Sequence, residues 1–423
     1  RDIVDLGMRL QHNSSSDASV ISAGRDFINA AQTTGGPNIN NLLGGVGRLE
    51  VNAGRNIDLG TGYGFRTRGS LDNPYLADGG ASLVMRAGVD TANIHYDTFV
   101  TTFNEEYKNL KLSELLDKKD YLGLNAAFFQ ILREKSKDKA IKPLTTDKSL
   151  ASQLVTDFDK AIASLLATSG KGGDISVFSS QIKTEQGGSI DLFAPFGSIY
   201  AGLTVASDKP SNQGIFTIRG GSINSVVYKD FLVNQGRVFT LGGGDIELVS
   251  QTSNIDAGRG AKTASSAPPP VVTIDQNGIV QVDVSSSISG SGIATLQTKT
   301  GQLPSNVYPI APRGIFDAGD AGVRSSGSVE VTANLVLNGN NITASGSISG
   351  SQVPVAAAPA PSAPASSAST QQTKASQTAA TDTGRKEAVL NVELLGYGSQ
   401  DVDPKDSTKP SKSDKSKKKD DEQ

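Results

Sequence analysis

The chain of 423 residues has no cysteine and no tryptophan, and its only histidines are His12 and His95. Without thiols there is no cysteine nucleophile, no thiolate metal site and no disulfide framework. That absence fits a bacterial protein passed through an oxidising compartment, although a cytosolic chain can also lack cysteine. Aromatic residues are scarce, 14 Phe and 9 Tyr, fewer than a compact enzyme core of this length usually uses. No apolar run approaches the roughly 20 residues that span a bilayer as a helix. The net charge of -3 gives no global attraction for nucleic acid, so no nucleic-acid partner is expected. The chain opens at Arg1 with neither an initiator Met nor a signal-peptide pattern. It therefore reads as a mature or C-terminal portion of a longer precursor, with any export address upstream.

What is abundant is glycine, 46 residues, and it recurs in one phrase. A Gly-Gly pair leads into a short alternating run, and a second run ends in Ala-Gly. Gly187-Gly188-Ser189-Ile190-Asp191-Leu192 leads to Ile199-Tyr200-Ala201-Gly202, and Gly243-Gly244-Asp245-Ile246-Glu247-Leu248 leads to Ile255-Asp256-Ala257-Gly258. The two Ile-to-Ile spacings are the same. Short repeated strands are the signature of a stacked solenoid. A β-solenoid buries only a thin column of Ile, Val, Leu and Ala per coil. Its corners call for Gly, which accepts positive φ, and for Asn and Asp, which bond the local backbone. At about 20–30 residues per coil the strand regions hold roughly ten coils, a rod of about 50 Å. An ordinary β-sandwich with a helical domain is the alternative. Irregular spacing favours it and the recurrent Gly-Gly and Ala-Gly pairs count against it.

The expected organisation is a first β-helical part over 1–95, an α-helical insertion over 96–168 and a second β-helical part over 169–352. An Ala/Pro/Ser-rich linker over 353–385, a capping strand over 386–398 and a charged disordered tail over 399–423 follow. Leu49-Glu50-Val51, Asn56-Ile57-Asp58-Leu59 and Ala81-Ser82-Leu83-Val84-Met85 alternate in period two between Gly clusters, as strands do. In the insertion glycine almost vanishes and apolar residues take helical spacing. Three helices are expected, over Tyr96–Leu110, Leu124–Lys135 and Leu150–Leu166, the last starting near Asp147-Lys148-Ser149. The triple Pro268-Pro269-Pro270 is a turn or excursion, and Ser328-Val329-Glu330-Val331 and Asn341-Ile342-Thr343 are the last coils. The linker composition cannot bury a core. Leu390, Val392 and Leu394 alternate with Asn391 and Glu393 and form the candidate cap.

Motifs that suggest chemistry have simpler readings. Gly258-Arg259-Gly260-Ala261-Lys262-Thr263 lacks the Gly that a phosphate loop needs directly before its Lys. Gly60-Thr61-Gly62-Tyr63-Gly64 is not followed by a helix pattern, as a dinucleotide site would be. Asp245, Asp256, Asp317 and Asp320 lie near Gly, but never in the nonapeptide rhythm of Ca²⁺-binding rolls, so corner hydrogen bonding is the default. His95 sits at the strand-to-helix junction in a packing or solvent role, and nothing marks a buried base for Ser-His-Asp catalysis. Lys415, Lys417, Lys418 and Lys419 are diluted by Asp420, Asp421 and Glu422. No catalytic, cofactor-binding or metal residue is assigned.

Longer stretches carry a resemblance. Ser179-Ser180-Gln181-Ile182-Lys183-Thr184 with Gly187 to Pro195, Val233 to Ile246, Ile255 to Thr263, and Ala311-Pro312-Arg313-Gly314 with Asp317 to Arg324 are similar to filamentous-haemagglutinin-type two-partner-secretion exoproteins. They resemble the conserved C-terminal region of that family, over most of 40–350 and again at Val392 to Gly398. The Lys-rich helical segment departs most from the pattern, and the amino-terminal secretion domain is not in this chain. The resemblance implies a secreted, right-handed parallel β-helix at the bacterial cell surface, associated with the outer membrane. Its implied partners are an outer-membrane two-partner-secretion transporter and a host-cell or matrix receptor, glycans included. The implied role is non-catalytic adhesion, with virulence and biofilm formation as contexts. Two alternatives stay open: a carbohydrate-active β-helix enzyme with carboxylates converging on one groove, or a C-terminal region anchoring or signalling at the outer membrane.

Overall fold

In the computed structural model the glycine-bounded runs stack into a parallel β-helix. The structure describes residues 1–29, 40–70, 73, 75–137, 148–168, 172–204, 213–260, 271–274, 280–283, 290–298 and 301–350, all within one unit, Arg1–Ala357. The linker, the capping strand and the charged tail lie outside the described residues, as does Pro268-Pro269-Pro270.

Each coil gives one strand to each of three faces. The middle face holds nine strands among the described residues, from Met8–Gln11 and Asn41–Gly44 through Gln181–Thr184, Gly214–Thr217 and Arg237–Leu241 to Ile342–Ala344. Nine coils therefore stack, a rod of about 40 Å at the spacing of paired strands, one coil fewer than the repeat length suggests. A short face carries two-residue strands such as Ile57–Asp58, Ile175–Ser176, Ile199–Tyr200 and Ile255–Asp256. A long face carries Arg48–Ala53, Ser82–Ala87, Ile190–Ala194, Ile223–Val227 and Ile246–Ser250. The strands Val307–Asp317 and Val329–Leu337 run through a corner and serve both faces. Parallel pairing along the three faces, with register shifts only at Leu43/Gly44 and Ala311/Ile315 among the described residues, sets the fold apart from a sandwich.

Register turns the phrase into columns. On the short face Ile57, Ile175, Ile199, Phe231, Ile255 and Phe316 lie one above another, all fully buried. On the long face Leu49, Leu83, Ile190, Ile223, Ile246 and Val307 do the same. Burying each such side chain contributes about 1.5–3 kcal/mol. The Ala-Gly ending closes the strands that open at Ile199, Ile255 and Phe316: Ala257 points into the core and Gly258, at φ +96, turns the corner. A Cβ on Gly258 would lie 2.1 Å from the Asn234 carbonyl oxygen, so the next coil packs directly on its backbone.

Two ladders of side-chain to backbone hydrogen bonds lock coil to coil. Before the short face, the N–H of Asp174 donates to Asn56 Oδ1 (3.0 Å), that of Ser198 to Asp174 Oδ1 (2.8 Å), that of Asn254 to Asp230 Oδ1 (3.0 Å) and that of Ile315 to Asn254 Oδ1 (2.9 Å). Before the long face, the N–H of Ser222 donates to Ser189 Oγ (3.2 Å), that of Asp245 to Ser222 Oγ (3.2 Å), that of Asn306 to Asp245 Oδ1 (2.8 Å) and that of Ser328 to Asn306 Oδ1 (2.8 Å). Short polar side chains suit this role because they reach a neighbouring N–H without leaving the corner. These rungs join residues 33, 23, 61 and 22 positions apart. The corner is fixed while the excursion between corners varies.

One excursion is helical. It leaves the long face after Ser82–Ala87 through an antiparallel neck, Val89–Ile94 with Leu166–Thr168, which alternation alone does not announce. Among the described residues four α-helices follow: α1 (Tyr96–Phe103), α2 (Leu112–Asp117), α3 (Tyr121–Lys137) and α4 (Lys148–Leu165). The first stops short of the expected Leu110. The chain reverses there through left-handed Lys111, φ +51, into α2, and Tyr107 still reaches the apolar core beside Phe103. A second excursion carries the hairpin Val271–Ile274 with Val280–Asp283.

The ladders make a testable statement. Asp230→Ala removes the acceptor for the Asn254 N–H and for the Ser253 hydroxyl and should cost about 1–3 kcal/mol. Gly244→Ala, at φ +108 with its Cβ 2.0 Å from the Gly221 oxygen, should cost more. Thermal or urea unfolding followed by circular dichroism measures both, and a wild-type midpoint for Asp230→Ala would show that the ladder does not hold the register.

Candidate functional site

The outward side of the long face is where the helices lie. Two outward columns run beneath them. One holds Arg86, Phe193, Val226, Val249 and Ile310, paired strand to strand. Its apolar members form a single cluster with Phe99, Phe128, Phe129, Leu132, Leu154 and Phe158 of the helices. Phe128 and Phe129 meet the Phe193 ring at 5.7 and 5.2 Å between centroids. The other column reads Glu50, Val84, Asp191, Asn224, Glu247 and Tyr308. On an open sheet such residues would face water. Here the helices seal them in, leaving Asp191 3% and Glu247 1% exposed.

A continuous hydrogen-bond path crosses this interface. Arg86, fully buried, donates to Glu50 Oε2 at 2.7 Å, Asn52 Oδ1 at 3.1 Å and the Tyr96 hydroxyl at 2.8 Å. Tyr96 donates to Asn125 Oδ1 at 3.1 Å, and Asn125 donates to Asp191 Oδ2 at 3.3 Å. Asn224 closes the path onto Asp191 Oδ1 at 2.9 Å. The path links α1 and α3 to adjacent coils. Farther along the column Arg133 of α3 donates to Glu247 Oε2 at 3.0 Å and lies 4.7 Å from the Tyr308 ring centroid.

Burial decides the protonation of these groups. It pushes the Asp191 carboxyl up to about 6, against the pull of the amides of Asn224 and Asn125 and the charge of Arg86. It pushes Glu247 up to about 8: Arg133 opposes the rise, while the neighbouring Asp245 adds to it. Glu50 goes the other way, because Arg86 and Arg48 together outweigh the effect of its burial. Perturbed carboxylates often mark active sites, and here three share a column. They do not share a groove. Asp191 and Glu247 stand two strand spacings apart, about 10 Å, and both are buried beneath the helices.

The residues singled out from the sequence sit elsewhere, at the corners. Asp256 and Asp317 each accept the N–H of the glycine two positions on, both at 2.8 Å, and Asp245 is a ladder rung. Asp320 is exposed. Among the described residues no group of three His, Cys, Asp or Glu side chains is placed to hold a metal ion. His12 is buried, with Nδ1 3.0 Å from the Val46 carbonyl and Nε2 2.9 Å from Ser19 Oγ. His95 precedes α1 and its N–H donates to the Leu165 carbonyl at 2.8 Å. Gly258 forms a corner, and Arg259 beside it lies 3.7 Å from both Asp256 and Asp317. The lysines of the tail and Ala261 to Thr263 lie outside the described residues. Sequence reading missed Arg86, Tyr96, Asn125, Asp191 and Glu247. One signal for their burial was present: Leu192-Phe193, Val226-Val227 and Leu248-Val249 are adjacent apolar pairs, and a strand covered on both sides loses its alternation.

Fold and site define the class, a β-solenoid with a helical subdomain docked on one face. Residues 243–354 match the family described as filamentous haemagglutinin family outer membrane protein, a span that opens at the corner before Ile246–Ser250 and takes in the remaining coils. The resemblance read from the sequence is thus met at that end of the rod. The family so described is one of outer membrane proteins. No curated protein and no solved structure matches the chain. Among the described residues no helix is long and apolar enough to cross a membrane.

Titration should reveal the sealed column. The folded-state value of Glu247 is raised above its unfolded one. The stability it contributes is therefore fully present below about pH 4.5 and lost as pH rises through about 8, at about 1.4 kcal/mol per unit. Glu247→Gln should remove this loss, so the gap in unfolding midpoint between variant and wild type should change steadily in the variant's favour from pH 5 to about pH 8 and level off above it. A gap independent of pH would mean that Glu247 is ionised throughout.

Proposed function

We propose that this chain is part of a secreted, non-catalytic adhesive exoprotein, in which the β-helix is a rigid spacer and the helical subdomain reads the partner. The match of residues 243–354 to the filamentous haemagglutinin family is the observation that carries the reading. The implied partners are an outer-membrane two-partner-secretion transporter for export and a host-cell or matrix receptor for attachment, with virulence and biofilm formation as the setting. The domain plan that goes with it is rod over 1–95 and 169–352, helical reader over 96–168, linker over 353–385, capping strand over 386–398 and solvated tail over 399–423.

Physical features support a structural role. In this solenoid each interior coil is paired above and below, and stability comes from the interfaces between neighbouring coils. The carboxylates with raised affinity for protons are spent on docking the helices rather than on a cleft. Those helices are fastened to the rod by an apolar cluster and a hydrogen-bonded path, so a surface presented on them keeps a fixed orientation. Their outer side is rich in charge: Lys108, Lys111 and Lys118 are largely exposed and pair with exposed Glu105 and Glu114, contacts that water and salt screen.

Removing the insertion altogether would uncover Phe193, Val226, Val249 and Ile310, so a change confined to its surface is the cleaner test. The triple variant Lys108→Glu, Lys111→Glu, Lys118→Glu should keep the wild-type unfolding midpoint within a few degrees and lose most adherence to epithelial cells or matrix-coated surfaces, at least about tenfold. Undiminished adherence would remove the helices as the reader. A wild-type chain that adheres to nothing would end the adhesive reading.

A further inference from the structure

The rod is continuous beneath the helices. The insertion separates two coils in sequence, yet those coils pair directly on every face: Ile57–Asp58 with Ile175–Ser176, residues 65–67 with 182–184, and residues 83–86 with 190–193. The insertion therefore takes no part in the ladder, and moving it would break no rung. It is also a body of its own. Helices α1 and α3 each pack on α2 and on α4, and the Phe99 ring meets Phe103 and Phe128 at 5.5 and 6.0 Å between centroids.

Its two roots lie together. The chain leaves the rod at Gly88, φ +75, and is back on it at Gly172, φ +63. A Cβ on Gly88 would fall 2.9 Å from the Gly172 carbonyl carbon. Paired glycines at the base of a neck can absorb a change of backbone angle at little cost. The contacts that hold the body down are made by side chains. Beyond the apolar cluster and the polar path, Arg313 of Val307–Asp317 donates to Ser152 Oγ of α4 at 3.3 Å. One buried group in this interface is unsatisfied: Glu247 Oε1 has no hydrogen-bond partner.

We propose that the helical subdomain is a hinged cover for the long face, opening as one body about Gly88 and Gly172 while the rod stays folded. Opening bares Phe193, Val226, Val249 and Ile310, so the open form is a small minority. Protons set how small. Glu247 faces Arg133 and Lys137 of α3, Asp245 just before its own strand and Tyr308 of the next coil. Asp191 faces Asn125 of α3, Asn224 of the next coil, Arg86 of the preceding one and Tyr96 of α1. Covering raises the two carboxyls to about 8 and about 6, and water would return them to their ordinary values of 4.5 and 3.8. The closed form thus holds protons that the open form gives up. Its advantage is fully present below the ordinary values and is lost as pH rises through the raised ones. Through Glu247 the open fraction should grow about tenfold per pH unit from pH 6 towards pH 8 and level off above it. The device concerns how the subdomain is held, and it stands whether or not the helices read a receptor.

Because the chain has no cysteine, single thiols can report the opening. Val226→Cys, with Val249→Cys as a second reporter, lies under the cover, and Val238→Cys points into the core of the rod. Alkylation by iodoacetamide, divided at each pH by the rate for the same variant unfolded in urea, measures the open fraction. At pH 8 the ratio at 226 or 249 should exceed that at 238 at least tenfold. It should rise more than tenfold from pH 6 to pH 8, and adding Glu247→Gln should abolish most of that rise. Thiols at 226 and 249 that react no faster than the one at 238 would overturn the proposal, because the cover would then lift only when the rod unfolds. So would a ratio that does not change with pH, or a rise that Glu247→Gln leaves intact.

Discussion

The side-chain to backbone hydrogen bonds at the corners set the coil-to-coil register, and the rest of the molecule depends on that register. A parallel strand shifted by one residue turns its inward set outward. In a solenoid the error would pass to every later coil. Asn, Asp and Ser at the corners prevent it by tying the first backbone N–H of each strand to the coil before it. The excursions between corners are then free to vary from a few residues to a helical subdomain, because loop length adds only a slowly growing entropic cost.

Register also builds the outer surface. Positions that alternate to the outside form columns, and on the long face those columns became a docking site. Its apolar members do the holding, while its charged members specify the fit. A buried ion pair such as Arg86 with Glu50 adds little net stability over an apolar pair, but a helix placed in a different register would deprive Glu247 of Arg133, Asp191 of Asn125 and Arg86 of Tyr96 in a dry interface. The polar path thus disfavours wrong dockings more than it strengthens the right one. Burial is also the main cause of the raised values of Asp191 and Glu247.

Much of this was legible in the residues. The Ala-Gly endings are corners, Ile246 and Ile255 open strands, and Asp245, Asp256 and Asp317 bond backbone where metal or phosphate chemistry tempted. These features are local, determined by φ, by short side chains and by alternation within a few residues. The helical stretch was visible from the loss of glycine and from its amphipathic spacing. Its breaks were not: α2 starts after a left-handed turn at Lys111, a lysine that carries no turn signal. The neck, Val89–Ile94 with Leu166–Thr168, joins segments more than seventy positions apart, and nothing within either segment announces the other.

The sequence by itself determined the coil: its corner residues, its inward columns, its uncovered polar turns and its family likeness all follow from neighbours a few positions away. Only the tertiary structure decided which outward face would be covered, and with it the fate of Arg86, Asp191 and Glu247. Alternation says that a side chain points out of the coil but not whether water or a helix waits there. That depends on where a distant insertion folds back, and the energy that settles it, burial of Phe193, Val226, Val249 and Ile310 against the helices, exists only once both surfaces have formed.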